Sequence, residues 1–263
     1  MRLPLPATTG HPTTVRTGPP RNIAHRGASA AVPENTLAAV RRAVEVGADL
    51  VEVDVQRSRD GALVVLHDTT LDRTTDVQRV FPGRAPWRLA DFRLDEIRRL
   101  DAGSWKSTEH AGERVPTLEE VFGVLRGSSV ALQLELKAPR LYPGVVTDLV
   151  DVLGTVEAPT VVQSFHVASM KELKTRLPEQ TVGLLGSPRV DNLPALGSWA
   201  DQVNPHHWSV DRAYVDAVHG NGMECLVWTV DRPSAMRRAL RLGVDGVITN
   251  RPERFALVRR SAR

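Results

Sequence analysis

Leu50-Val51-Glu52-Val53-Asp54-Val55 is the stretch that decides how this chain folds. Val51, Val53 and Val55 fall on one parity and the two acids on the other, which is the two-residue period of a β-strand. One face of that strand is apolar, and the other carries two carboxylates about 7 Å apart. Like charges turned into a protein interior are costly unless a cation lies between them. A divalent metal with oxygen ligands is the usual solution.

Outward from this strand, short β-branched runs alternate with longer helical patterns, so a parallel α/β architecture is predicted. The expected strands are Asn22–His25, Leu50–Gln56, Leu63–His67, Val130–Lys137, Thr160–Phe165, Thr181–Leu185, Asp201–Asn204, Met223–Thr229 and Gly246–Thr249. Only six residues, centred on Arg59-Asp60-Gly61, separate the second from the third, too little for a parallel crossover and right for a hairpin. The other eight can all run parallel, giving a (β/α)8 TIM barrel, for which 263 residues is a natural length. A two-residue Asp60-Gly61 turn would set Asp54 opposite His67, with Cβ atoms roughly 5 Å apart.

Pro33-Glu34-Asn35-Thr36 opens the first helix, with Asn35 or Thr36 as N-cap and Gly47 just past its end. Leu71 to Pro116 is too long for an ordinary loop, so an insertion over residues 71–116 is expected after the hairpin, with Leu89–Leu100 helical. Residues 1–20 hold Pro, Thr and Gly without an apolar core and read as a flexible arm. Residues 21–263 then form a single barrel domain.

Bulk properties narrow the function. A net charge of +3, with no basic run interleaved with aromatics, argues against a nucleic-acid partner. No stretch approaches the ~20 apolar residues that span a bilayer, so no integral membrane association is expected. A single cysteine, Cys225, rules out an internal disulfide framework and fits a reducing compartment, so a cytoplasmic location is expected. Cys225 lies in the apolar run Met223 to Val230 and reads as a core residue.

The chemistry gathers at strand ends, where barrel enzymes place it. His25-Arg26-Gly27 ends the first strand. In Val130 to Lys137, Leu132, Leu134 and Leu136 take one parity, and Gln133, Glu135 and Lys137 take the other. Glu52, Asp54 and Glu135 from neighbouring strands make a hard-oxygen site suited to one Mg²⁺ or Ca²⁺. Strand order brings His25, Arg26, His67 and Lys137 to the same mouth. Two histidines supply a proton acceptor and a donor near neutral pH. Arg26 and Lys137 complement an anionic phosphodiester. The set suits phosphodiester cleavage better than chemistry at a carbon acid, for which one base suffices.

Ordered motifs run from residue 22 to about 253. They are His25-Arg26-Gly27, Pro33-Glu34-Asn35-Thr36, Glu52-Val53-Asp54, His67-Asp68, Leu71-Asp72-Arg73-Thr74-Thr75, Leu100-Asp101-Ala102-Gly103-Ser104-Trp105, Pro116-Thr117-Leu118-Glu119-Glu120, Glu135-Leu136-Lys137, Gln163-Ser164-Phe165 and Trp228-Thr229-Val230. In these the chain resembles the glycerophosphodiester phosphodiesterases. The resemblance implies a (β/α)8 barrel with a small insertion, and His25 and His67 as the general acid/base pair. It implies a divalent ion on Glu52, Asp54 and Glu135, and a phosphate held by Arg26 and Lys137. Phe165 and Trp228 would wall the glycerol or alcohol moiety of a small glycerophosphodiester, which is cleaved to sn-glycerol 3-phosphate and an alcohol. Asn250 departs from the family pattern, where an acid is common, and is expected to lie outside the residues that touch substrate or metal.

Three alternatives follow from the same residues. A phospholipase or sphingomyelinase D-like enzyme acting on lipids would need a docking segment, and no exposed aromatic stretch stands out in the sequence. A non-catalytic phosphate-binding barrel would be expected to have lost a histidine or an acid. An enolising barrel enzyme would not need Arg26 and Lys137 around a histidine pair.

Overall fold

The computed structural model describes residues 18–261. The arm expected over residues 1–20 lies, up to residue 17, outside the described residues. Nine strands form: β1 (Arg21–His25), β2 (Leu50–Arg57), β3 (Leu63–Val65), β4 (Ala131–Leu136), β5 (Thr160–Ser164), β6 (Thr181–Leu185), β7 (Gln202–Asn204), β8 (Glu224–Val227) and β9 (Gly246–Thr249). β1 pairs in parallel with both β2 and β9, so eight parallel strands close into a barrel. β3 is the exception and pairs antiparallel with β2 at Val55–Arg57, beyond the residues that β2 gives to β1.

The parity of each strand decides what faces the helices. Val51, Val53 and Val55 pack outward with Leu132, Leu134 and Leu136 against Val40, Ala43, Leu118 and Val121 of the flanking helices. Inward, Ile23, Leu50, Val161, Leu226 and Ile248 make an apolar floor. Two residues further along the chain stand His25, Glu52 and Gln163 within their strands, and Trp228 and Asn250 just past the ends of β8 and β9. Spacing by two from a packed floor aims these polar and aromatic side chains at the C-terminal mouth.

The helix Leu37–Glu45 is capped by Thr36, whose hydroxyl oxygen accepts from the Ala39 N–H at 3.2 Å. Gly27 turns the chain out of β1 with φ +78, and a Cβ there would fall 2.5 Å from the Ala39 carbonyl carbon. Only glycine allows that approach.

Two sequence expectations shift. The hairpin loop is Arg59-Asp60-Gly61, three residues closed by the Ser58 N–H to Ala62 carbonyl bond at 2.9 Å, with Gly61 at φ +95. A three-residue loop ending in a left-handed glycine is a favoured hairpin, and it moves the register by one residue. Val55 pairs with Val65, so Asp54 meets Leu66, whose N–H it accepts at 2.9 Å, and not His67.

Within 71–116, Leu89–Asp91 and Leu94–Ile97 are separate short helices, not one helix to Leu100. Phe92 is extended between them. Asp60 Oδ1 accepts the Leu94 N–H, and Glu96 accepts the Arg93 N–H, which starts a new helix there. Leu71, Val77, Leu89, Phe92, Ile97, Leu100 and Val115 of this segment pack on Val64 and Leu66.

Candidate active site

Eight of the nine side chains singled out from the sequence line one cavity of about 210 Å³: His25, Arg26, Glu52, His67, Glu135, Lys137, Phe165 and Trp228. The ninth, Asp54, is fully buried, and one carboxylate oxygen each from Glu52, Asp54 and Glu135 lie within 4.8 Å of one another. A wider cleft of about 450 Å³ opens at the N-terminal end between Arg21, Asp49 and Gln180, with no histidine in its lining.

The acids are crowded. Burial, then the charges of Asp54 and Glu135, hold the Glu52 carboxyl well above its ordinary range. Burial and the Asp54 charge push Glu135 up to about 7. Burial also works against the Asp54 carboxylate, but Arg26 and Lys137 outweigh it and hold Asp54 low. Arg26 Nε lies 3.2 Å from Asp54 Oδ2, and Lys137 Nζ lies 2.8 Å from Glu135 Oε1 and 3.6 Å from Asp54 Oδ1.

Asp54 Oδ1 is buried without a hydrogen bond. A buried carboxylate oxygen in that state asks for a cation. Three hard-oxygen donors within ligand reach of each other, one of them unsatisfied, fit a divalent ion such as Mg²⁺ or Ca²⁺.

Arg26 adopts φ +58, its N–H donates to Glu52 Oε2 at 2.9 Å, and its Nη1 donates to Glu34 Oε1 at 2.8 Å. A non-glycine residue in this left-handed region persists only where its surroundings over-determine it. Arg73, from the 71–116 segment, also donates to Glu34, at 2.7 Å, and pairs with Asp68. Asp68 Oδ1 in turn lies 2.6 Å from His67 Nδ1. A chain of ion pairs ending in a hydrogen bond to His67 therefore runs from Arg26 around the mouth.

His67 returns to the acids without ladder pairing. The Gln56 amide donates to the carbonyls of Leu66 (2.7 Å), His67 (3.2 Å) and Asp68 (2.7 Å), and its oxygen accepts from the Tyr142 hydroxyl at 2.9 Å. Gln56 is the inward residue after Asp54, so its parity was the available signal. Of the two cap candidates Thr36 takes the helix, and the Asn35 amide instead donates to Asp54 Oδ2 at 2.8 Å and accepts the Asp54 N–H at 3.2 Å.

Asn250 does not line this cavity, and its Oδ1 lies 2.7 Å from His25 Nδ1. Its place two residues after Ile248 of the floor carries the signal. Burial, then the Arg26 charge, lower His25 to about 4, so the ring is neutral at neutral pH.

The aromatic side of the mouth is open. Phe165 is 55% exposed and meets Trp228 edge-on at 5.8 Å, which excludes a packing role in the barrel for Phe165. Trp228 continues to His206 at 5.3 Å, His206 to His207 at 4.9 Å, and His207 to Trp208 at 4.5 Å. Trp208 is 68% exposed and His207 is buried, so the file is open to solvent at its two ends, Phe165 and Trp208. His166 and His219 are structural, bonded to Ser169 at 2.8 Å and Asp245 at 2.7 Å. Cys225 is buried, and burial pushes its thiol up to about 12, which leaves it inert. Among the described residues no helix is long and apolar enough to cross a membrane.

Comparison with known proteins identifies the family of this chain. Residues 25–254 match the model of the glycerophosphoryl diester phosphodiesterase family. A glycerophosphodiester phosphodiesterase of Caldanaerobacter subterraneus is 39% identical over 88% of this chain and 94% of its own length. One from Bacillus subtilis is 33% identical over 90% and 86% respectively. A solved phosphodiesterase of Oleispira antarctica, in complex with the product sn-glycerol-3-phosphate, superposes with a TM-score of 0.82 at 31% identity, covering 91% of this chain and 96% of that one. The glycerophosphodiester phosphodiesterase of Agrobacterium tumefaciens gives 0.73 at 31%, covering 90% and 99%. With its barrel, its acid cluster and its ordered motifs, this chain belongs to the glycerophosphoryl diester phosphodiesterase family.

Proposed function

We propose that this protein hydrolyses small glycerophosphodiesters to sn-glycerol 3-phosphate and a free alcohol. The observation that carries the proposal is the convergence of His25, His67, Arg26, Lys137 and the three-acid cluster on one cavity of about 210 Å³. Glu52, Asp54 and Glu135 would hold one Mg²⁺ or Ca²⁺, which supplies Lewis-acid polarisation of the phosphodiester when bound. Arg26 and Lys137 bring positive charge to the phosphate, and Phe165 and Trp228 wall the carbon skeleton beside it.

The two histidines divide the proton work. One removes the proton of the glycerol 2-hydroxyl as that oxygen attacks phosphorus, and the other protonates the departing alcohol. The roles then reverse as water opens the cyclic phosphate. The free Cys225 supports a cytoplasmic location for the reaction. Residues 21–263 are read as one catalytic domain carrying 71–116 as an insertion.

Purified protein assayed against a panel of glycerophosphodiesters should release sn-glycerol 3-phosphate. An analogue lacking the 2-hydroxyl should be inert. No release from any member would reject the assignment, and equal turnover of the analogue would replace cyclisation by direct water attack. The aromatic file ending at Trp208 favours a second reading, a phosphodiesterase or lyase acting on lipids. Turnover of lysophospholipid vesicles in preference to soluble diesters would select it.

A further inference from the structure

His25 is fixed by β1 through its backbone and by one side chain through its ring. Nδ1 lies 2.7 Å from Asn250 Oδ1. An amide can offer either its oxygen or its NH₂ to an imidazole, and the two orientations select opposite tautomers.

Asp231 removes the choice. Its Oδ2 lies 2.7 Å from Asn250 Nδ2, and its Oδ1 accepts the Asn250 backbone N–H at 2.9 Å and the Thr249 hydroxyl at 3.0 Å. A carboxylate only accepts, so the amide must turn its NH₂ to Asp231 and its oxygen to His25. The single hydroxyl proton of Ser29 is shared between the His25 carbonyl (2.6 Å) and Asn250 Oδ1 (2.9 Å), and either acceptor suits that orientation. His25 Nδ1 must then carry the ring proton. Nε2, unprotonated in the neutral ring, is the nitrogen left for the cavity that His25 lines.

We propose that Asn250, keyed by Asp231, is a positioning residue that locks His25 as its Nδ1–H tautomer and presents a bare Nε2 to the substrate. The proposal rests on the reading of His25 as one of the two catalytic histidines, and it assigns the direction of proton flow. The proton of the attacking hydroxyl moves to Nε2, the oxygen forms its bond to phosphorus, and the imidazolium keeps its Nδ1–H bond to the amide oxygen. His67 is left to donate the proton that the leaving alcohol takes up.

The test joins nitrogen NMR of the Mg²⁺-loaded protein with steady-state kinetics. The His25 resonances are identified by their loss in His25→Gln. In the wild-type protein His25 should show the Nδ1–H pattern. Asn250→Leu should lower kcat roughly 10- to 100-fold, part of the 10²–10⁴ typical of a positioned base, with KM changed less than about threefold. Asp231→Asn, which does not touch His25, should lower kcat in the same direction and give a mixture of tautomers. A wild-type Nε2–H pattern, or full kcat in both variants, would overturn the proposal while leaving His25 in the mechanism. Full turnover by His25→Ala would instead remove the catalytic reading beneath it. If both variants fail to fold, the wild-type tautomer alone decides.

Discussion

A carboxylate buried against two others can stay ionised only where a cation answers it, and that rule organises this site at the scale of single residues. Period-two spacing made Glu52, Asp54 and Glu135 legible, because alternation with valine or leucine states which way an acid points. Gln56 shares that inward parity and carries no charge to draw notice, and Asn250 stood out only as a departure from the family pattern, because its partners His25 and Asp231 come from distant parts of the chain. His25→Ala and His67→Ala should each lower turnover by about 10²–10⁴ with the thermal midpoint nearly unchanged. Gln56→Leu should lower kcat as well, although Gln56 does not line the cavity, because it frees the segment that carries His67. It should also cost roughly 1–3 kcal/mol of stability by leaving the Tyr142 hydroxyl and three carbonyls without their partner. Unchanged kcat in Gln56→Leu, measured beside the histidine variants, would dismiss the clamp.

At the scale of elements, all nine strands were readable from β-branched runs or, in β4, from alternating leucines, but the hairpin register was not. Asp60-Gly61 also fits a two-residue turn, and only the Ser58 to Ala62 closure distinguishes the three-residue loop. Leu89–Leu100 has helical spacing, yet Asp60 and Glu96 cap a new start at Leu94 through contacts the spacing does not show. The segment Leu100 to Ser104 is explained by Asp101, whose carboxylate accepts the N–H groups of Gly103, Ser104 and Gly112 at 2.8 Å each. Burial opposes ionisation, but these bonds outweigh it and bring Asp101 down to about 2. A depressed carboxyl contributes stability above its unfolded value of about 3.9 and loses it as pH falls toward about 2. Asp101→Asn should therefore destabilise the protein by about 1 kcal/mol at pH 7, and the difference from wild type should shrink between pH values of about 4 and 2. Thermal unfolding of both proteins across that range checks it; a gap that stays constant would contradict the assignment.

At the scale of the whole molecule, the closed barrel turns eight locally ordinary strands into one mouth. Its apolar floor lifts the polar layer toward solvent, and the segment 71–116 leans in to supply Arg73 to Glu34 and Lys106 to the Ser29 carbonyl. Closure was foreseeable from strand count and length. The cross-mouth ion pairs were not, because they join residues far apart in the chain. The acid cluster at the centre is where the account can be tested most directly. Release of sn-glycerol 3-phosphate should be measured on protein stripped with excess chelator, then with Mg²⁺ or Ca²⁺ restored, in wild type and in Asp54→Asn. Loss on stripping, recovery with metal in the wild type and no recovery in Asp54→Asn is the predicted result. Full activity in excess chelator, or equal recovery in Asp54→Asn, would contradict a metal held by these three acids.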